Sequence, residues 1–101
     1  MLVYICSKLR GNVEENQNKV KKYCKQVVDE GNIPIAPHIY FTQFMDDNKE
    51  EDRNKAFAMN KELLDLCDCL NVYGSELSEG MQLEVNYALS KNKNIRYFDS
   101  L

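Results

Sequence analysis

The chain has 101 residues, and we expect residues 1–101 to form a single small domain. Hydrophobic residues make up 44% of it, enough for a core but a thin one. A net charge of −3 and a pI near 5.1 argue against a nucleic-acid polymer as the main partner. The sequence has no apolar run near the roughly 20 residues of a membrane span, so we expect no membrane partner.

The four cysteines bear on location and on metal binding. Cys67-x-Cys69 has the wrong spacing for a zinc ribbon, and no second pair follows it. Three cysteines lie inside apolar segments, as small core residues do. The N-terminus, MLVYICSKLR, lacks the charged region of a signal peptide. We therefore expect reduced thiols, a cytoplasmic protein, and neither a metal site nor a cofactor.

Strands and helices alternate along the sequence. Short β-forming apolar runs predict strands, and apolar residues at helical spacing predict helices between them. Residues 39–52 have neither pattern and are expected to form a long polar-aromatic connection. The predicted strands are Leu2–Cys6, Ile33–Ala36, Cys69–Tyr73 and Asn94–Phe98. The predicted helices run from Val13 to a stop at Gly31, from about Asp52 to Cys67, and over residues 78–93.

This alternation predicts an α/β protein of the three-layer Rossmann or flavodoxin-like class. Parallel strands with right-handed crossovers place helices on both faces of the sheet. We expect the strand order 2-1-3-4, because Pro34 is best tolerated in an edge strand. The switch point then lies between the first and third strands, where ligands bind in such folds. We expect Arg10, His38, Ser78 and Glu84 to approach this crevice.

Each of these polar residues has two interpretations. Arg10 and Gly11 form either an anion-binding loop or an ordinary turn with a surface arginine. His38, the single histidine, is expected to cap a loop. Ser78 is expected to cap the last helix and could also touch a phosphate. Glu84 is either solvent-facing or a sheltered carboxylate that the helix dipole keeps ionised, as a nucleophile at a sugar carbon must be.

The buried stripes of two helices add further expectations. Met81, Val85, Ala88 and Leu89 fall at the spacing of a buried face in the last helix. In the preceding helix, Asn60 is the polar member of an apolar stripe. It therefore needs a hydrogen-bond partner.

Two segments resemble a known superfamily. GMQLEVNYALSKNK resembles the G-M-E-L-G-Y-A-L segment of the nucleoside 2-deoxyribosyltransferases. YICSKLRG resembles the Y-x-x-G-S-x-R-G opening of the deoxyribonucleoside 5′-monophosphate N-glycosidases. With APHIYFTQFMDD, these segments look like short bacterial and phage members of that superfamily. The resemblance covers nearly the whole chain, and its most specific part is the glutamate three residues before Tyr-Ala.

The resemblance implies an activity and a set of site residues. Glu84 would be the nucleophile that attacks a deoxyribosyl anomeric carbon, and Tyr4 would help to position it. Asn60 stands near the place of an acid that contacts the base. Arg10 matches the arginine that meets the 5′-phosphate in the N-glycosidases, and Ser78 falls where the transferases place an acid near the sugar. The residues expected to bind the ligand are then Lys8, Arg10, Gly11, His38, Asn60, Ser78 and Gly80. Lys8 replaces a phosphate-binding serine and could either contact phosphate or point away.

Two functions follow as expectations. The first is cleavage or transfer of the N-glycosidic bond of a deoxynucleoside or its 5′-monophosphate. The second is a binding module for a nucleotide or a nucleotide-derived signal. A homodimer or larger homo-oligomer is expected from the thin core and from the resemblance.

Overall fold

The computed structural model describes residues 1–99 and contains four strands and four helices. The strands are β1 (Leu2–Cys6), β2 (Ile33–Ile35), β3 (Cys69–Tyr73) and β4 (Asn94–Phe98). The helices are α1 (Val13–Asp29), α2 (Pro37–Phe41), α3 (Glu50–Leu66) and α4 (Glu79–Ser90). None of the helices within residues 1–99 is long and apolar enough to cross a membrane.

All four strands are parallel, and their order is β2-β1-β3-β4. The predicted α/β class and strand order are therefore confirmed. Pro34 lies in the edge strand β2, where its missing N–H costs least. The central strand β3 is buried along its whole length, as expected for a parallel sheet covered on both faces.

Alternate residues of β1 build two separate cores. Tyr4 and Cys6 face α3 and α4, where they pack with Leu64, Met81 and Val85. Val3 and Ile5 face the other way and pack with Val20, Tyr23 and Val27 of α1. Successive side chains in a strand point to opposite faces, so one five-residue strand serves both cores. The two crossovers from β1 and β3 thus leave on opposite faces of the sheet.

Three local predictions were wrong. Residues 37–41, placed partly in a connection, form α2, because Pro37 fixes a helical φ at its first turn and Thr42 Oγ donates to the carbonyls of His38 and Ile39. α3 begins at Glu50, two residues earlier than expected, with acidic residues in its first turn. Leu89 is 57% exposed, whereas Met81, Val85 and Ala88 are buried as predicted.

Ser78 caps α4, as predicted. Its Oγ accepts a hydrogen bond from the backbone N–H of Met81 at 3.3 Å. We expect Ser78→Ala to lower the free energy of unfolding by about 1 kcal/mol, because one N–H of the first turn loses its acceptor. Urea unfolding would measure this loss. Ser78→Asp, which restores an acceptor, should recover most of it. Equal stability of parent and Ser78→Ala would contradict the capping role.

Candidate functional site

The carboxylate of Glu84 is held between two elements of the core. Glu84 lies in the second turn of α4, and the Tyr4 hydroxyl of β1 donates a hydrogen bond to its Oε2. Asn60 of α3 donates to the same oxygen through Nδ2 at 3.5 Å. Both hydrogen bonds involve Oε2, whereas the Cys6 thiol donates to the carbonyl of Met81 at 3.8 Å. The side chains of Tyr4, Asn60 and Glu84 therefore form one group, which we call the Glu84 triad.

Burial raises the pKa of Glu84 to about 7, although the hydrogen bond from Tyr4 acts in the opposite direction. The expectation that the helix dipole keeps this carboxylate ionised was therefore wrong. The dipole acts mainly within the first turn of a helix, and Glu84 lies beyond that turn. Near neutral pH, Glu84 exchanges readily between its acid and its anion.

Tyr4 is suited to orienting this carboxylate rather than to exchanging protons. It is 1% exposed, and burial together with the negative charge of Glu84 raises the pKa of its phenol well above the ordinary value. The hydroxyl therefore remains protonated and can donate to Glu84 over the whole physiological range of pH. Its position in a buried strand fixes the direction of that donation.

Asn60 connects the Glu84 triad to a cleft. Its Oδ1 is buried and has no hydrogen-bond partner among the described residues. Such an oxygen carries a cost of desolvation that a ligand N–H or O–H would remove. Asn60 lines a cleft of about 80 Å³, which we call the Asn60 cleft. The other lining residues are Leu9, His38, Phe41, Thr42, Met45, Asp47, Asp52 and Ala56.

His38 lies in α2, and its side chain contacts Ser7 in the loop after β1. Its Nε2 is 3.0 Å from Ser7 Oγ, and burial lowers the pKa of the imidazole to about 4. The ring is therefore neutral at physiological pH. His38 lines the Asn60 cleft, whereas Ser7 lines a second cleft. The Ser7–His38 hydrogen bond thus joins a lining residue of one cleft to a lining residue of the other.

Arg10 forms an ion pair with Asp47 and does not line the crevice at the switch point. Its Nε is 3.2 Å from Asp47 Oδ2, and 61% of its side chain is exposed. Asp47 lines the Asn60 cleft, so the guanidinium lies next to that cleft. Exposed ion pairs are worth at most about 1 kcal/mol, and a ligand phosphate could compete for Arg10. Gly11 follows with φ +100°, a conformation that favours glycine.

The second and larger cleft, of about 190 Å³, lies at the predicted switch point. It is bordered by the residues that follow β1 and β3 and by the first turns of α1; we call it the switch-point cleft. Lys8 lines this cleft and not the Asn60 cleft. Its lining residues are Ser7, Lys8, Asn16, Lys19, Tyr23, Tyr73, Gly74, Ser75 and Glu76.

The predicted site residues are thus divided among several places. The structure brings Glu84, Tyr4 and Asn60 together, and it places His38 and Arg10 at or beside the Asn60 cleft. Glu84, Tyr4, Ser78 and Gly80 line neither cleft, and none of the four residues expected at the switch-point crevice lines that cleft. Ser78 caps α4, and Gly80 is exposed in its first turn.

Sequence reasoning did not identify Ser7, Asp47, Lys19 and Ser75. Ser7 and Ser75 each lie within two residues after a central strand, a position that could have drawn attention to them. Asp47 and Lys19 carry no such signal. Asp47 belongs to an acidic run, and Lys19 belongs to a lysine-rich helix face that we interpreted as solvated.

Comparison with known proteins supplies a family but no activity. No curated protein matches the sequence. A family model described as Domain of unknown function (DUF7768) matches residues 1–98, which span every strand and helix and both clefts. The chain therefore belongs to the family described as Domain of unknown function (DUF7768).

Proposed function

We propose that this protein cleaves or transfers the N-glycosidic bond of a deoxynucleoside or a deoxynucleoside 5′-monophosphate, with Glu84 as the nucleophile. The observation that carries the proposal is the Glu84 triad, in which a buried tyrosine hydroxyl and an asparagine amide donate to one carboxylate oxygen. The sequence resemblance to the deoxyribosyltransferase superfamily adds support. Oriented carboxylates are the groups that glycoside chemistry uses, and Asn60, which hydrogen-bonds Glu84, lines a cleft.

The reaction divides into two displacements at the anomeric carbon. Tyr4 and Asn60 hold Oε2, so we assign the attack to Oε1 of Glu84. The new C–O bond forms as the C–N bond breaks, and the electron pair of the broken bond leaves with the base. Water or a second base then attacks the same carbon, and Glu84 leaves as a carboxylate. Its negative charge stabilises the oxocarbenium-like transition state of both steps.

Asn60 limits the chemistry of the leaving base. An amide can bind a base through hydrogen bonds, but it has no acidic proton to transfer to it. The base therefore takes its proton from a group other than Asn60. We infer that bases that leave readily as anions, or that are already protonated, react fastest in this site.

The second candidate function is a non-catalytic binding module for a nucleotide or a nucleotide-derived signal. Two observations favour it: the raised pKa of Glu84, which reduces the fraction of ionised nucleophile at neutral pH, and the amide at position 60. In either case we propose a small nucleoside or nucleotide as ligand. We also propose a cytoplasmic homo-oligomer, and light scattering at micromolar concentration would test the assembly.

Release of free base is the experiment that tests the proposal. The protein is incubated with deoxynucleosides and their 5′-monophosphates, with and without an acceptor base, and the products are separated by chromatography. Release from at least one substrate is the expected result. If none releases base but some raise the Tm, the binding module is the better description.

The role of Arg10 can be tested with the same substrates. We expect Arg10→Ala to weaken binding of the 5′-monophosphate by about tenfold and to leave the matching nucleoside unaffected, because only the phosphate offers an anion to the guanidinium. The nucleoside serves as the internal control. Equal weakening of both ligands would show that Arg10 acts through the fold of its loop instead.

A further inference from the structure

We infer that Ser7 is a nucleophile for acyl transfer and that His38 is its general base. The substrate class is an ester or thioester of a carboxylic acid whose leaving group departs as a stable anion. The proposal does not rest on the proposed function, because Ser7 and His38 lie outside the Glu84 triad and acyl transfer breaks no N-glycosidic bond. It rests on the contact between the two side chains, on the cleft beside Ser7 and on the charges of that cleft.

The topology of the sheet brings Ser7 and His38 together. β1 and β2 are parallel neighbours, and Tyr4 of β1 is paired with Ile35 of β2. Ser7 and His38 each lie three residues beyond this pair, at the carboxyl ends of the strands, where α/β sheets bind their ligands. Ser7 Oγ is 3.0 Å from His38 Nε2. This separation is within the hydrogen-bond reach that joins a nucleophile to its base.

The backbone that carries His38 is tied to α1. Thr42 Oγ donates to the carbonyls of His38 and Ile39, at 3.0 and 3.1 Å. Gln17 Nε2 of α1 donates to the same Thr42 oxygen at 2.6 Å. The position of His38 is therefore set by two helices, and that of Ser7 by the end of a buried strand. The contact between them is a property of the scaffold.

His38 is in the protonation state that a general base requires. Burial lowers the pKa of its imidazole to about 4, so the ring is neutral at physiological pH. With its proton on Nδ1, the ring presents the lone pair of Nε2 to Ser7, whose hydroxyl donates to it. Ser7 is half-buried and lines the switch-point cleft, so an acyl group bound in that cleft lies next to its hydroxyl.

The reaction proceeds in two balanced stages. Ser7 Oγ bonds to the carbonyl carbon, its proton passes to His38 Nε2, and the carbonyl oxygen becomes an oxyanion. When the carbonyl re-forms, the bond to the leaving group breaks, and that group takes the electron pair and then the proton from His38. Water attacks the acyl-serine, gives a proton to His38, and the carboxylic acid is released as the Ser7 oxygen takes that proton back.

The surroundings of the pair select the class of substrate. Within residues 1–99, no carboxylate forms an ion pair with His38, so the imidazolium gains no such stabilisation. The carbonyl must therefore be reactive, as in a thioester, whose thiol has a pKa of about 8.5, or an aryl ester. Lys8 and Lys19 line the cleft with one opposing carboxylate, that of Glu76. Their ammonium groups favour the oxyanion and the departing anion.

Covalent labelling of the parent protein tests the inference without any variant. A fluorophosphonate probe forms a P–O bond to an activated serine as fluoride leaves. After digestion with trypsin, the peptide of residues 1–8 contains Ser7 as its only serine. A probe on Lys8 would block cleavage there and give residues 1–10 instead, and fragment spectra separate Ser7 from Tyr4. We expect the probe on Ser7.

Variants then identify the base. His38→Gln should slow the labelling of Ser7 by about 100-fold or more, the usual contribution of a general base. Ser75→Ala is the matched control, because Ser75 lines the same cleft while the only histidine of the chain contacts Ser7; its labelling rate should stay within about twofold of the parent. With 4-nitrophenyl acetate, the parent should release a burst of nitrophenolate that is absent in Ser7→Ala.

Each outcome supports or overturns the inference. Labelling of Ser7 that is slowed in His38→Gln and retained in Ser75→Ala supports it, as does a burst that depends on Ser7. Absence of the probe from Ser7 in the parent overturns it. Labelling of Ser7 at the parent rate in His38→Gln, equal slowing in Ser75→Ala, or a burst that persists in Ser7→Ala would each overturn it as well.

Discussion

Replacing Glu84 with glutamine is expected to lower the rate of base release by about three orders of magnitude or more, with ligand affinity changed only a few-fold. Glutamine has nearly the shape of glutamate and can still accept the Tyr4 hydrogen bond, but its amide is a poor nucleophile. The loss should therefore appear in kcat, since the bond to the anomeric carbon forms only during the reaction.

The matched control is Glu62→Gln, the same change at an exposed position of α3. It should leave turnover unchanged. This result would show that neither the removal of one negative charge nor a difference between protein preparations explains the lower rate of Glu84→Gln. Rapid-quench measurement of base release, together with ligand binding by calorimetry, separates chemistry from affinity. Turnover in Glu84→Gln near that of the parent would remove Glu84 from the mechanism and leave the fold without an assigned nucleophile.

Tyr4→Phe measures how much the hydrogen bond from Tyr4, which orients the Glu84 carboxylate, contributes to the rate. The phenyl ring preserves the packing of β1 but removes the hydroxyl that donates to Glu84 Oε2. We expect an intermediate loss of about 10- to 100-fold in kcat, because the carboxylate keeps its charge but loses one of the hydrogen bonds that orient it. It should also raise the pKa that governs turnover, since the bond from Tyr4 stabilises the anion.

The sheet was predictable because its determinants are local and redundant. Every strand is a short apolar run, and glycines or polar residues end it, so the alternation of strands and helices is visible in the sequence. The strand order then follows from few choices, and Pro34 excludes an interior place for β2. α2 was missed because five residues are too few to show a helical period.

The site was less predictable because it depends on distances between segments far apart in sequence. Asn60 was expected to need a hydrogen-bond partner, and Glu84 was expected to be either solvent-facing or sheltered. Only the packing of α3 against α4 shows that Asn60 donates a hydrogen bond to Glu84. Lys8 and Arg10 lie two positions apart in one loop, yet Lys8 lines the switch-point cleft and Arg10 pairs with Asp47. No periodicity governs the directions of loop side chains.

The pKa of Glu84 was also not predictable from the sequence. A sequence shows that a carboxylate follows the start of a helix, but Glu84 lies beyond the first turn, where the helix dipole acts. It does not show how deeply the carboxylate is buried, and burial is the largest cause of the raised pKa. The protonation state near pH 7 therefore follows only from the packing around β1.

Glu84 and His38 are expected to give opposite and nearly cancelling pH dependences of stability. The folded pKa of Glu84 is raised from 4.5 to about 7, so its contribution to stability is fully present below pH 4.5 and is lost as the pH rises to about 7. The folded pKa of His38 is lowered from 6.5 to about 4, so its contribution is present above pH 6.5 and is lost as the pH falls to about 4.

Single variants should therefore show the separate pH dependences of Glu84 and His38, which offset each other in the parent. Each shift corresponds to about 3 kcal/mol at most, from about 1.4 kcal/mol for each pH unit of difference. Relative to the parent, Glu84→Gln should gain stability as the pH rises from 4.5 to 7, and His38→Gln should lose it between pH 4 and 6.5. Urea unfolding at several pH values measures both differences, and groups common to all variants cancel in them. Parallel pH profiles for Glu84→Gln and the parent would show that the Glu84 carboxyl is not held protonated by its burial, and the pH dependence of turnover would then have to arise from another group.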